Sequence, residues 1–214
     1  MSDALIENPI LNRPFEEPSR HFKFDEGGIT TEVVESRRVS SYFMPIPGAK
    51  RTSQQHFEIE WTEDRIEENR FINEVRDKVG QWRKAGHPNV TPVTARLLNH
   101  WTDESRERRL FFCQIEAVET AIYIAEVASK FGDTWIEKRL AEFAEDANPG
   151  LFRIALKMAT GSGKTVVMSM LIAWQVLNKL ASQQDKRFTD AFLVVTPGIT
   201  IKDRLRVLMP SDPD

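Results

Sequence analysis

One short stretch of the chain combines the residue types and the spacing that hold a phosphate group. It is TGSGKT, made up of Thr160, Gly161, Ser162, Gly163, Lys164 and Thr165. Glycines let successive backbone N–H groups curl round phosphate oxygens without obstruction by side chains. Lys164 would reach the β- and γ-phosphates of a nucleotide, and the Thr165 hydroxyl would bind Mg²⁺. The full pattern asks for glycine where this chain has Met158, so the alternative is a glycine turn before a core helix.

The other residues that often carry chemistry show no comparable spacing. The four histidines are too scattered for a metal site, and we expect structural or surface roles for His21, His56, His87 and His100. The single cysteine, Cys113, excludes an internal disulfide and is predicted to serve in packing on a helix.

The composition favours a globular protein without a strongly basic surface. Of the 214 residues, 41 % are hydrophobic and 29 % are charged, which is enough apolar material to bury a core. The net charge of −3 means that any nucleic acid must be held by local basic groups or backbone amides. The first residues, MSDALIENPI, lack the profile of a signal peptide, and no apolar run is long enough to span a bilayer. We therefore expect a cytoplasmic protein with no membrane partner.

Residues 1–60 are predicted to form an extended N-terminal arm. Prolines recur through this part of the chain and disfavour helix. Two short pieces, TTEVVE and SSYFMPI, are typical of strands, and the aromatic residues around them indicate that the arm lies on another part of the protein. The alternative is disorder.

The following residues, 61–105, are predicted to form a helical region. Thr62 and Thr102 are candidate N-caps, since acidic residues follow each of them. A threonine-proline pair that begins at Thr91 opens a short helix between them. A longer helix is predicted over about 106–130. A further helix is predicted to follow it and to end at the NPG turn.

A strand-helix-strand pattern surrounds the phosphate-gripping stretch. LFRIALKM, residues 151–158, leads into the stretch, and the helical sequence TVVMSMLIAWQVLNKL leaves it. The continuous apolar run AFLVV, residues 191–195, is typical of a strand that is buried on both faces. The pattern predicts an α/β fold with a βαβ unit, in which helices flank a parallel sheet.

These stretches resemble a known family. KMATGSGKT resembles motif I of superfamily 2 helicases, and the form MATGSGKT is most similar to the helicase subunits of type III restriction enzymes. LFFCQIEAVETA resembles the family segment that carries a glutamine ahead of motif I, which implies that Gln114 reads adenine. FLVVTPGITIKDRL resembles motif Ia, which implies that this segment holds the backbone of single-stranded DNA through Thr196, Pro197, Gly198 and Lys202.

The predicted position of the motif Ia segment is consistent with a contact to DNA but leaves alternatives open. Thr196-Pro197-Gly198 follows a predicted strand at the same sheet edge as the phosphate stretch, where open α/β sheets bind ligands. An ordinary strand-to-helix turn would give the same sequence pattern. For Gln114 the alternative is a solvent-exposed helix residue.

The resemblance implies a partial RecA-like ATPase domain over residues 106–214, with ATP and Mg²⁺ as cofactors. It implies an ATP-dependent DNA helicase or translocase of a restriction-modification system, with DNA, further motor and nuclease domains or a modification subunit as partners. No acidic D-E-x-[HD] box follows the motif Ia segment in this sequence, so we expect the N-terminal part of such a motor, truncated before that box and inactive alone. The alternatives are a non-catalytic relic that binds a nucleotide or a partner, and another P-loop motor for DNA or secretion.

Overall fold

The structure is a computed structural model that describes residues 8–25, 28–43 and 66–209. The chain divides into two compact units, Met1–Asp77 and Lys78–Asp214. The predicted helix cap Thr62 and the histidine His56 lie outside the described residues.

The first unit contains two antiparallel strand pairs. Strand β1 (His21–Asp25) pairs with β2 (Gly28–Val34), and β3 (Ser41–Phe43) pairs with β4 (Ile66–Glu68). The strand prediction for TTEVVE is confirmed by β2, and that for SSYFMPI is confirmed over Ser41–Phe43 by β3, while residues 44–46 lie outside the described residues. Strand β4 lies where helix was predicted, so that part of the helical prediction is wrong.

Helix α1 (Arg70–Lys84) begins where β4 ends, and an asparagine in its first turn bonds it to the segment before β3. The Asn73 side chain accepts a hydrogen bond from the Ser40 N–H (2.8 Å) and donates one to the Ser40 carbonyl (3.1 Å). The first turn of the helix is therefore bonded to the residue that precedes β3. A sequence pattern does not reveal this tie, because 33 residues separate the two partners.

The second unit is built from helices and the irregular segments that join them. In chain order the helices are α2 (Pro92–Thr102), α3 (Phe112–Ile122), α4 (Thr134–Ala147), α5 (Lys164–Ala181) and α6 (Ile199–Arg204). Helix α5 packs against both α2 and α3. Within the described residues no helix is long and apolar enough to cross a bilayer.

One of the two predicted caps in this region is confirmed and the other is wrong. The Thr91 hydroxyl accepts a hydrogen bond from the Thr94 N–H (3.1 Å), and proline follows at the first position of α2. Thr102 instead ends α2, where its hydroxyl donates back to the Leu98 carbonyl (2.8 Å). The next helix therefore starts later than predicted, at Phe112.

A π-helical turn, Tyr123–Val127, continues α3. The Ala128 N–H donates to the Tyr123 carbonyl, five residues back, and a 3₁₀ turn (Ala128–Phe131) completes the run. The single helix predicted over 106–130 is thus three kinds of helix in succession. Such single π turns are rare and often mark functional positions.

The two strands predicted around the phosphate-gripping stretch are not formed. Residues 151–158 and 191–195 belong to no strand, and the sheets of the described residues are the two antiparallel pairs of the first unit. Apolar alternation alone does not make a strand, which also needs a neighbour for its backbone hydrogen bonds. The side chains of Leu193 and Val195 are 89 % and 81 % exposed. The mixed content agrees with an α/β fold, but a parallel sheet is not confirmed.

A buried ion cluster joins the end of α1 to α3. The Glu119 side chain is fully buried, and its Oε2 accepts a hydrogen bond from the Arg83 Nε (2.7 Å). Its Oε1 lies 2.8 Å from the Nε2 of His87, a residue that takes the unusual left-handed backbone conformation (φ 55°). Burial raises the pKa of Glu119, but the hydrogen bonds from His87 and Arg83 outweigh it and leave the pKa below its ordinary value.

This lowered pKa predicts a loss of stability in acid. A carboxylate with a lowered pKa in the folded state contributes stability that is full above its unfolded pKa, here about 4.5, and is lost as pH falls through the folded value. We expect the urea midpoint of the native chain to exceed that of Glu119→Gln at pH 7, and the gap to shrink below pH 4.5. Glu137→Gln changes an exposed glutamate on α4 and serves as the control. A gap that is constant from pH 7 to pH 3 would contradict the prediction.

Candidate functional site

Residues 160–165 form a tight loop that leads into α5. Helix α5 begins at Lys164, directly after Gly163. Gly161 and Gly163 both adopt left-handed backbone conformations, with φ of 79° and 80°, which residues with a side chain rarely adopt. The first N–H groups of a helix have no intrahelical partner and lie at the positive end of its dipole. The loop thus has the backbone geometry of an anion site.

The carbonyl of Ala159 is the acceptor around which this loop closes. It accepts hydrogen bonds from the Ser162 hydroxyl (2.7 Å) and from the Lys164 Nζ (2.8 Å). The Ser162 N–H donates to the same oxygen at 3.4 Å. The Lys164 ammonium is therefore held against its own loop, and its side chain is exposed to solvent. No sequence signal pointed to Ala159, because the group involved is a backbone carbonyl.

Gln114 lies beneath the loop and is bonded to it. Only 5 % of this residue is exposed, so the alternative of a solvent-exposed glutamine is wrong. Its Nε2 donates to the Ser162 carbonyl (3.0 Å), and its Oε1 accepts from the Phe111 N–H (2.9 Å) at the start of α3. A side chain at position 163 would collide with it, because a Cβ there would lie 2.1 Å from the Gln114 Nε2.

Cys113 also lies at the loop, which the sequence analysis missed. The residue is exposed, so the predicted role in packing is wrong. Its Sγ is 4.0 Å from the Ser162 carbonyl. Partial burial raises the pKa of the thiol, which argues against a nucleophile. The only signal for this position was its adjacency to Gln114 in the sequence.

A buried polar network fixes the other end of α5. The carboxylate of Glu126, in the π turn, accepts hydrogen bonds from the Trp174 Nε1 (2.8 Å), the Thr94 hydroxyl (2.6 Å) and the Thr91 N–H (2.8 Å). Asn178 donates to the Thr94 hydroxyl (3.0 Å) and is bonded to the Thr91 hydroxyl. Trp174 and Asn178 both belong to α5, so the helix behind the loop is anchored at its loop end through Gln114 and along its length through Glu126.

In the predicted DNA segment Thr196 is half-buried, and Pro197, Gly198 and Lys202 are exposed. Gly198 precedes α6, Lys202 lies within α6, and the Thr196 hydroxyl donates to the Gly198 carbonyl (3.3 Å). Among the described residues no hydrogen bond or ion pair joins Thr196, Pro197, Gly198 or Lys202 to residues 160–165. Gln114 is thus hydrogen-bonded to the loop, and these four residues are not.

The groups at the loop suit a nucleotide phosphate with Mg²⁺. Lys164 supplies a positive charge, the first turn of α5 supplies N–H donors, and Thr165 is the second residue of that turn. A hydroxyl is an oxygen ligand of the kind that Mg²⁺ takes, and Mg²⁺ usually keeps several waters and phosphate oxygens as its other ligands. Over the described residues no group of three or more His, Cys, Asp or Glu side chains is placed to hold a metal by itself.

Comparison with known proteins found a family match. Residues 109–207 match the family model of the type III restriction enzyme, res subunit. The match covers α3, the phosphate-gripping loop, α5 and the exposed segment with Thr196, and over these residues it confirms the resemblance that the motifs predicted. No curated protein matches the chain, and no solved structure matches it.

Proposed function

We propose that this chain binds ATP with Mg²⁺ at residues 160–165 and acts as the ATP-binding part of a DNA helicase or translocase in a restriction system. At the level of the family, the match implies ATP-dependent, helicase-like function. The observation that carries the proposal is local: the two left-handed glycines turn the backbone into the start of α5, where Lys164 and Thr165 follow at once. In this arrangement the chain's own groups bind and orient the phosphates.

Each residue of the loop has a distinct part in this proposal. The backbone of Thr160, Gly161, Ser162 and Gly163 surrounds the phosphate oxygens. The ammonium of Lys164 leaves the Ala159 carbonyl, 2.8 Å away, and moves to the terminal phosphates. The exchange is favourable because the phosphate oxygens are negatively charged and attract the ammonium more strongly than the neutral carbonyl oxygen does.

DNA is the proposed macromolecular substrate. Its contact is assigned to Thr196, Pro197 and Gly198, which precede α6, and to Lys202 within it; all but the half-buried Thr196 are exposed. Further motor and nuclease domains or a modification subunit are the proposed partners, and the cytoplasm is the proposed location. The exposed apolar residues of 191–195 support a second candidate, in which the chain acts by binding a partner protein without catalysis.

Calorimetry with and without Mg²⁺ tests the proposed site. We expect the native chain to bind ATP more tightly with Mg²⁺ present, because the Thr165 hydroxyl would supply an oxygen ligand for the metal that accompanies the phosphates. Thr165→Ala should lose about tenfold in affinity, or about 1.4 kcal/mol, only when Mg²⁺ is present. Thr134→Ala, which removes an exposed threonine at the start of α4, is the control. An equal loss with and without Mg²⁺ would show that Thr165 does not bind the metal. If the native chain does not bind ATP, the proposed function is overturned.

A further inference from the structure

We infer that a second pocket of this chain, here called the aromatic pocket, binds a single guanine base. The aromatic pocket has a volume of about 250 Å³ and lies in the second unit. Its walls come from the end of α1, the π turn, and the 3₁₀ turn with the residues after it. Residues 160–165 are not among the described residues that line it, so the inference does not rest on the proposed function.

Aromatic rings form much of the wall of the aromatic pocket. The Trp82 and Tyr123 rings are buried and meet edge to face, with their centroids 5.5 Å apart. Phe131 also lines the pocket and is 50 % exposed, so it forms the side that opens to solvent. Unpaired nucleic-acid bases are held by stacking on aromatic side chains of this kind. The walls therefore favour a flat, aromatic occupant.

These walls are held in place by contacts within the chain. The Trp82 Nε1 donates to the Pro88 carbonyl (2.9 Å), and the Lys130 Nζ donates to the Asn89 carbonyl (2.6 Å). His87 and Asn89, on either side of Pro88, have φ of 55° and 69°, which residues other than glycine seldom adopt. Such strain persists only where the surroundings enforce it, and it clusters at ligand sites. A pocket that is already formed binds without the cost of ordering its walls.

The charged groups of the aromatic pocket favour a neutral occupant that offers acceptors. The Lys78 Nζ lies 2.8 Å from the Asp133 Oδ1, so the two charges offset each other. Asp133 also accepts from the Tyr123 hydroxyl (2.6 Å) and the Trp135 Nε1 (3.2 Å), which fills three of about four acceptor positions. The Lys78 side chain is 40 % exposed, and its ammonium has two N–H groups besides the one directed at Asp133. The pocket therefore has donors to spare.

Guanine is the base that matches this arrangement. Its O6 and N7 atoms are two adjacent acceptors on one edge, and lysine donates to this pair in complexes with DNA. Adenine has an amino donor in place of O6, and the pyrimidines have no N7. Pockets for drug-sized ligands measure roughly 300–1,000 Å³, so about 250 Å³ suits one ring system. The base can come from a free nucleoside or from an unpaired position in single-stranded DNA.

NMR titrations observed on the ligand test the acceptor edge without any change to the protein. Guanosine carries no phosphate, so residues 160–165 have no phosphate group to bind. Inosine keeps O6 and N7, and we expect it to bind with the affinity of guanosine. In 7-deazaguanosine a carbon replaces N7, and we expect about tenfold weaker binding from the loss of one hydrogen bond. Equal affinity for guanosine and 7-deazaguanosine would overturn the inference.

Phe131→Leu tests whether binding takes place in the aromatic pocket. Leucine keeps an apolar side chain and removes the ring, and we expect the affinity for guanosine to fall about tenfold. Phe143→Leu, which changes a phenylalanine of similar exposure on α4 (45 %), should leave the affinity unchanged. Circular dichroism at 222 nm checks that each variant is folded. An equal effect of the two variants would place the binding elsewhere and contradict the inference.

Short DNA strands distinguish the two sources of the base. A strand of five thymidines is compared with one in which guanosine replaces the central thymidine. If the source is an unpaired base, the strand with guanosine binds more tightly, and Phe131→Leu removes the difference. If the source is a free nucleoside, guanosine binds and the two strands have equal affinity. Either result supports the inference, whereas no binding of guanosine together with equal affinity of the two strands overturns it.

Discussion

Replacing Lys164 by alanine is expected to weaken Mg-ATP binding by about 100-fold while the fold is kept. The ammonium would make at least two charge-assisted hydrogen bonds to the terminal phosphates, each worth about 1.5–3 kcal/mol. A loss of about 3 kcal/mol corresponds to about 100-fold in the dissociation constant. Stability should change little, because the side chain is exposed and its only recorded hydrogen bond within the described residues goes to the Ala159 carbonyl.

The matched control for this variant is Lys186→Ala. Lys186 is an exposed lysine on the turn that follows α5, so its replacement changes the net charge by the same amount. Helix α5 has 18 residues and places that turn about 27 Å from the loop. Calorimetry on the three proteins at one salt concentration gives the comparison. If Lys164→Ala and the native chain bind Mg-ATP with equal affinity, residues 160–165 do not hold the phosphates.

Replacing Glu126 by alanine is expected to cost about 3–5 kcal/mol of folding stability. The change removes the carboxylate that accepts from three donors: the Trp174 Nε1–H, the Thr94 hydroxyl and the Thr91 N–H. Each buried polar group that loses its partner costs about 1–3 kcal/mol. The total is a large share of the roughly 5–15 kcal/mol that stabilises a typical domain. Urea denaturation followed by circular dichroism measures the loss.

Two further variants separate the hydrogen bonds from the loss of a side chain. Glu126→Gln keeps the shape and one acceptor oxygen, and we expect it to cost less than Glu126→Ala. Glu137→Ala removes an exposed glutamate from α4 and should change stability by no more than about 0.5 kcal/mol. If Glu126→Ala and Glu137→Ala cost the same, the buried network does not contribute to the stability of α5.

The conformation of residues 160–165 could be predicted from the sequence because its determinants are local. Gly161 and Gly163 permit the backbone conformation, and Lys164 and Thr165 lie at fixed offsets from them in the same short stretch. The cap at Thr91 was equally local, since its hydroxyl bonds a residue three positions away. Where the partner is close in sequence, residue type and spacing were sufficient.

The remaining features depend on partners that are distant in sequence. Thr91 and Thr102 had equally good cap patterns, but only one of them has a free N-terminal turn to bond in the folded chain. The apolar run 191–195 had the composition of a buried strand, yet a strand exists only where a neighbour supplies hydrogen bonds. The buried acids Glu119 and Glu126 had no pattern at all, because their partners lie more than 30 residues away.

The π turn also determines how many residues can separate Gln114 from Glu126 while both keep their contacts. Gln114 and Glu126 are 12 residues apart (126 − 114), and in a regular α-helix they would be rotated by about 120° from each other. The π turn absorbs one extra residue, equivalent to about 100°, so both side chains point to the side on which α5 lies. A relative that lacks one residue here, such as the exposed Ala125, would keep both contacts with an ordinary helix. The π turn therefore accommodates one extra residue while the contacts of Gln114 and Glu126 are both kept.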